Sequence, residues 1–389
     1  MENENKLGRR KYLKILGTGS IGAFIFPHLA KDVLAQEKKE KPRTNIADAL
    51  KYPRNENSMP GKFPGKVVKV FNKNSVKENA PVLEEAEKML VKGMLELTGE
   101  KTIVAAWKHF VKPGEKIGLK LNPVAGKVLT TSHEIVKTII KQLEEAGIDK
   151  KDIVLWDRRE FQLHECGFTE ENYPGIKITG TERKDKEGSY YDKDGVLYGK
   201  KMIDEKWFYK AECSEEYDEY TIPFMVNEGE YSYFSKICTR EVDKIINVPI
   251  LKNAGSSVTL CMKNLAYGSI TNTSRLHKQL WSETTVEVCA FPPLRDKVVL
   301  NIVDGLKGCF DGGPGANPQF ITSFNTLLIG TDPVAVDRVG YDIIIKKRID
   351  EGIQKKESER GKKFLELAEN LKLGIADINR IKLTEVEIV

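Results

Sequence analysis

One strand–helix–strand unit constrains this 389-residue chain more than any other feature. An apolar strand over residues 116–121 is followed by helical periodicity over 133–146, then by the strand 153–156, which ends at Asp157. Ser132 stands where an N-cap is wanted, and Gly147 stands where a left-handed residue closes a helix. Antiparallel neighbours join through a few residues, whereas parallel ones need a crossover of a dozen or more. The spacing therefore predicts a βαβ crossover and a parallel sheet. A strand at 66–71, an amphipathic helix at 82–97 and a short helix at 103–110 precede it. The same alternation returns with strands at 244–248, 298–303 and 326–330, a helix opened by Asp332-Pro333, and a last edge strand within 381–389. Between about 173 and 233, Asp192-Lys193-Asp194-Gly195 and Tyr198-Gly199-Lys200-Lys201 are turn signals among short aromatic stretches. The fold class expected is α/β: a mostly parallel sheet flanked by helices, with an inserted β-rich subdomain.

The first 35 residues have a different character. Leu7-Gly8-Arg9-Arg10-Lys11-Tyr12-Leu13-Lys14 is basic, residues 15–29 are mildly apolar and glycine-spaced, and Val33-Leu34-Ala35 offers small residues for cleavage. Together these read as a secretory leader rather than a membrane span, which needs about 20 apolar residues. The paired arginines resemble the twin-arginine export signal, with Gly8 in place of its usual Ser/Thr and Tyr12 in place of Phe. The resemblance implies the twin-arginine export machinery as a partner, a periplasmic or extracytoplasmic location, and a soluble protein after leader removal. An ordinary secretory signal or an uncleaved anchor is the competing reading. Residues 36–65 are lysine-rich with Pro42, Pro53, Pro60 and Pro64 and read as a flexible tether, leaving 66–389 as the folded domain.

Charge narrows the function. The chain carries +5, and the leader holds six Lys/Arg against three Asp/Glu, so the remainder is 56 basic against 54 acidic, or +2. No basic field is left for nucleic acid or a membrane surface. The six cysteines show neither Cys-x-x-Cys nor zinc or ferredoxin-type iron–sulfur spacing. Cys261 and Cys289 sit in apolar runs, whereas Cys309 lies among glycines, where an exposed thiol and redox chemistry are to be expected.

Polar residues recur where the predicted strands end, the edge at which open parallel sheets bind ligands. They are Lys120 and Asn122; Asp157; Lys252, followed by Lys263-Asn264-Leu265-Ala266-Tyr267-Gly268 and His277; Asp304 and then Gly312-Gly313; and Asp332 with Asp337. This ordered set resembles the uncharacterised family known as domain of unknown function 362, over about residues 66–389 apart from the insertion. Ferredoxin-bearing members carry a four-cysteine run that this chain lacks, so an iron–sulfur role does not transfer, and the family name supplies no reaction.

The residue types themselves suggest an anion site. Lys120, Lys252 and Lys263 are expected to hold a carboxylate or phosphate, and burial side by side would make one a general base or a Schiff-base former. His277 is the candidate acid–base, with Lys263 and Lys252 beside it. Asn122, Asn264, Gly268, Gly312 and Gly313 are expected against the ligand, and Asp157 and Asp304 are expected to orient lysines or a metal. For each residue a bland reading stays open: a lysine snorkelling to solvent, an aspartate satisfying its own turn, a surface histidine. His133 belongs to a helix cap on this reading, and Asp332 is most simply an N-cap. Two functions remain open. One is an acid–base or redox enzyme with an unknown cofactor; the other is a non-catalytic ligand-binding or accessory protein.

Overall fold

The structure, a computed structural model, describes residues 41–389 apart from 214–218, 220 and 228. The leader expected over 1–35 lies outside the described residues. The unit Pro42–Val389 carries the fold.

Its strands in chain order are β1 (Lys66–Phe71), β2 (Val76–Lys77), β3 (Ala80–Pro81), β4 (Ile117–Lys120), β5 (Ile153–Arg159), β6 (Lys177–Glu182) and β7 (Ile203–Lys210). Then come β8 (Tyr231–Ser235), β9 (Lys244–Asn247), β10 (Ile250–Ala254), β11 (Ser257–Val258), β12 (Val298–Cys309), β13 (Ile321–Gly330) and β14 (Lys382–Glu387). The main sheet runs β14-β1-β13-β12-β9-β4-β5-β6, with β10 attached to β12 and β11 to β10. Strands β12, β9, β4, β5 and β6 are mutually parallel, whereas β13 runs antiparallel to both β12 and β1.

The crossover from β4 to β5 uses the helix His133–Glu145, and the pair is parallel, as the spacing predicts. Gly147 at φ 94° supplies the left-handed exit. Ser132 occupies the N-cap position, but its side chain makes no cap bond. The carboxylate of Asp304 takes that role instead, its Oδ2 accepting the Ser132 N–H at 2.7 Å.

Apolar side chains on both sheet faces explain why helices cover both. Leu119, Leu155 and Ile246 pack with helices Leu83–Thr98 and His133–Glu145 on one side. Trp156, Ile245 and Val303 pack with Cys261–Ser269, Ser274–Ala290 and Pro333–Asp350 on the other. Such near-continuous burial is what a parallel sheet between helical layers requires.

Two boundaries differ from the sequence reading. Residues 42–65 are no loose tether: Ala49 and Met59 are buried, Asn45 pairs with Lys210, and Met59 N–H bonds to Arg295 O at 2.8 Å. Proline and lysine content marked the lack of regular structure, not a lack of packing. The insertion also begins later than expected, because β6 extends the main sheet beside β5. What remains is the two-stranded antiparallel ribbon of β7 and β8 with its flanking loops.

Candidate functional site

The chain leaves β4 toward β5 on one side and later returns through β9 on the other side. The carboxyl ends of β4 and β9 therefore flank a point where strand order reverses, and open α/β sheets form ligand crevices there. Register lines up polar side chains across this point, with Asn301 opposite Asn247 and Asn247 opposite Lys120.

The helix Cys261–Ser269 lies over that row. Its N-terminus is held from another helix, because Asp337 accepts from the N–H groups of Cys261 at 2.6 Å and Met262 at 3.0 Å. On its buried side Asn264 Oδ1 accepts from Lys120 Nζ at 3.2 Å and from Asn122 Nδ2 at 2.9 Å. Asn264 Nδ2 donates to Asn247 Oδ1 at 2.8 Å, and Asn247 Nδ2 donates to Asn301 Oδ1 at 3.0 Å. Lys252 Nζ closes the other end on Asn122 Oδ1 at 2.9 Å. A chain of amides thus runs through the core, each satisfying the next. This is how polar groups survive burial.

Lys120 is fully buried and ion-paired to Asp157, with Leu121 O as a further acceptor at 2.8 Å. Burial pulls its pKa down against the opposing pull of Asp157. Gly268, one turn beyond Asn264, makes room for this pair: a Cβ there would stand 2.6 Å from Lys120 Nζ. Lys252 is also fully buried, opposite Cys309 in register, and burial pushes it down to about 7.

In front of this layer is a cleft of about 110 Å³, walled by Asn122, Asp157, Arg158, Lys263, Asn264, Tyr267, Gly268 and His277, among others. One water needs roughly 10–15 Å³ of such space, so the cleft has room for several heavy atoms. Lys263 Nζ lies 5.4 Å from the Tyr267 ring centroid, and burial pushes its pKa down to about 8. Among the described residues it has no hydrogen-bond or ionic partner. His277 rests against Tyr267, ring centroids 4.4 Å apart, while the residue as a whole remains exposed. Its Nδ1 lies 2.9 Å from the Thr273 carbonyl, which can only accept, so Nδ1 carries the proton and Nε2 is the free base. Desolvation, then the charge of Lys263, pushes His277 down to about 4. Arg158 donates to Tyr267 O at 3.2 Å and to Thr273 Oγ1, with Glu182 3.3 Å from its Nε.

The structure thus brings Asn122, Asp157, Lys263, Asn264, Gly268 and His277 to one cleft. Lys120 and Lys252 lie behind its wall, committed to internal partners, and do not face the cavity. Asp304 is not at the cleft at all: besides Ser132 it accepts from Leu306 N–H at 3.1 Å, and burial raises it to about 6. It is engaged at a helix N-terminus and meets neither a lysine nor Asp157. Among the described residues no three His, Cys, Asp or Glu side chains group as metal ligands.

Gly313 donates its N–H to Asn253 Oδ1 at 2.8 Å and packs on Asn253, so the close approach its lack of a side chain permits is to the protein itself. Gly312 adopts φ 73° against Asn317. Only Pro314 of that loop reaches the cleft. Cys309, expected in an exposed turn, is wholly buried because β12 continues through it. Asp332 is an N-cap, accepting from Val334 and Ala335, and it also ties in the N–H groups of Gly65 and Ile375. His133 bonds Tyr173 OH and Cys166 O within a stacked aromatic cluster.

Sequence reasoning missed Arg158, Asn247 and Asn301. The signal for the first was a second charge directly after Asp157. For the others it was a lone amide inside an otherwise apolar strand.

Compared with known families, the chain matches the family described as Domain of unknown function (DUF362) over residues 208–342. No curated protein matches it. The matched stretch holds Lys252, Lys263, Asn264, Gly268, His277 and Asp337, but not Lys120, Asn122 or Asp157. It is narrower than the span 66–389 expected from the motifs, and it begins inside the stretch read as an insertion.

Proposed function

We propose that this protein binds a small anionic molecule in the cleft before Lys263 and moves a proton on it with His277. The observation that carries the reading is Lys263: a cationic side chain in a desolvated cavity wall, without a counter-ion among the described residues. A half-buried cation without a counter-ion is held at a cost, and a bound anion reduces that cost. Lys120 and Lys252 act from behind, holding the amides of Asn122 and Asn264 in fixed orientation. Arg158 lines the same wall with its charge shared by Glu182, and the free Nε2 of His277 is the base. Heat stabilisation of the purified protein by lactate, acetate and phosphate tests this. Wild type should be stabilised by at least one of them, and Lys263→Met should lose about tenfold or more in affinity. If none of the three shifts the melting temperature, and native mass spectrometry shows no retained small molecule, the reading fails.

We also propose that the protein works outside the cytoplasmic membrane, a reading supported by Arg9-Arg10 and the apolar run behind them. Replacing both arginines by lysine should leave the protein in the cytoplasmic fraction; unchanged partitioning would refute it.

A further inference from the structure

We infer that the anion is a small 2-oxo carboxylate and that Lys263 Nζ forms an imine with its carbonyl carbon. The inference rests on the anion-site reading and deepens it. Its basis is a conjunction of four features in one cavity. Lys263 is an amine on the wall that no described residue holds by a hydrogen bond or ion pair. His277 is a base whose tautomer leaves Nε2 open beside it. Arg158 lines the same cavity, its Nη1 on Tyr267 O and Thr273 Oγ1 and its Nε 3.3 Å from Glu182, and brings a guanidinium to the wall where a carboxylate would lie. The amide of Asn122, locked by Lys252 and Asn264, supplies a preset polar contact.

An anion site by itself asks only for the ammonium. Withdrawal from water instead favours the neutral, nucleophilic amine. Burial is what lowers Lys263, and the groups facing it leave its amine uncommitted. Lys252 on β10 is engaged with Asn122, His277 on the neighbouring helix is neutral, Tyr267 on its own helix offers a ring face, and the charge of Asp157 across the cavity is taken by Lys120.

The step balances without an external oxidant or reductant. The neutral amine attacks the carbonyl carbon, a C–N bond forms, and the carbonyl π pair moves to oxygen. His277 Nε2 accepts a proton from the attacking nitrogen and returns it to the departing hydroxyl. The second nitrogen proton completes a water molecule, leaving C=N. Water reverses the sequence.

Full-length protein is incubated with pyruvate or with lactate, which shares the carboxylate but has no carbonyl, and each sample is treated with sodium cyanoborohydride. Expected is a reduced pyruvyl adduct on the peptide containing Lys263, absent with lactate and absent from Lys263→Met. His277→Gln should retain pyruvate-dependent heat stabilisation but label about a hundredfold more slowly. Labelling should also accelerate as pH rises through about 8, where the Lys263 amine loses its proton. If both acids stabilise the fold and Lys263 stays unlabelled, the imine is wrong and the anion site stands. If neither acid stabilises the fold and Lys263 stays unlabelled, the imine is wrong, and the anion site falls with it only if acetate and phosphate also fail to stabilise the fold and no small molecule is retained.

Discussion

The two sides of the helix Cys261–Ser269 present the same spacing to opposite fates. Asn264 and Gly268, four residues apart, pack on Lys120 and Asp157 at the back of the cleft, and there the Asn264 amide is tied to Lys120, Asn122 and Asn247. Lys263 and Tyr267, also four apart and one position earlier, line the same cleft, where the ammonium has no described hydrogen-bond or ionic partner. One step along the helix separates a side chain spent on the polar core from one left uncommitted. A polar residue at a strand end is therefore not a site by its chemistry alone. What matters is the hydrogen-bonding capacity left after the fold has used its share. Asp304, Asp332 and Asp337 have the chemistry of a site and have committed it to helix N-termini.

Breaking the closed side should cost the most. Asp157→Ala leaves Lys120 buried beside neutral amides only, and losing one partner of a buried pair typically costs about 3–5 kcal/mol. Chemical denaturation should show that loss, while Lys263→Met on the open side should cause none, because it removes an ammonium that has no described counter-ion. Equal losses in the two variants would show that both sides are structural and would erase the distinction.

Gly268→Ala probes the same side more gently. The new methyl meets Lys120 Cε and Nζ, and relieving such overpacking costs about 1–3 kcal/mol. Because the helix otherwise gains from alanine in place of glycine, a net stabilisation would mean that the Lys120–Asp157 pair moves aside freely.

The sheet and its crossover were readable from the spacing of apolar runs, since parallel strands separated by a helix have few other solutions. The closed side was half readable. Lys120, Asp157, Asn264 and Gly268 stood out as polar or small residues in apolar surroundings. That they meet depends on strand order, which places β9 beside β4 although Lys244, where β9 opens, lies far along the chain from Lys120. Capping was the least readable feature. Asp304 reaches Ser132 across 172 positions and Asp337 reaches Cys261 across 76, so local sequence offers no sign that either carboxylate is already engaged. Conversely Asn247 and Asn301 announced themselves as single amides in apolar strands. Their weight went unrecognised because an asparagine there acquires meaning only through its neighbour in register.

The smallest effect concerns pH and tells the lysine behind the wall from the aspartates at the helix ends, because their signs are opposite. Asp304 and Asp332 are raised by burial to about 6, and Asp337 to about 7, above the ordinary 3.8. Their contribution is therefore fully present below pH 3.8 and is lost as pH rises through about 6 to 7. Lys252 is lowered to about 7 from 10.5, so between these values the unfolded chain holds a proton that the folded one does not. Stability must then rise with pH across that window, by about 1 kcal/mol between about pH 7 and 8. Lys252→Met should remove that rise while leaving the decline below about pH 7 in place, whatever it costs through the lost bond to Asn122. If denaturation curves of wild type and Lys252→Met keep a constant separation from about pH 6 to 9, Lys252 carries its proton in the folded state throughout. The amide chain would then be holding an ammonium rather than an amine.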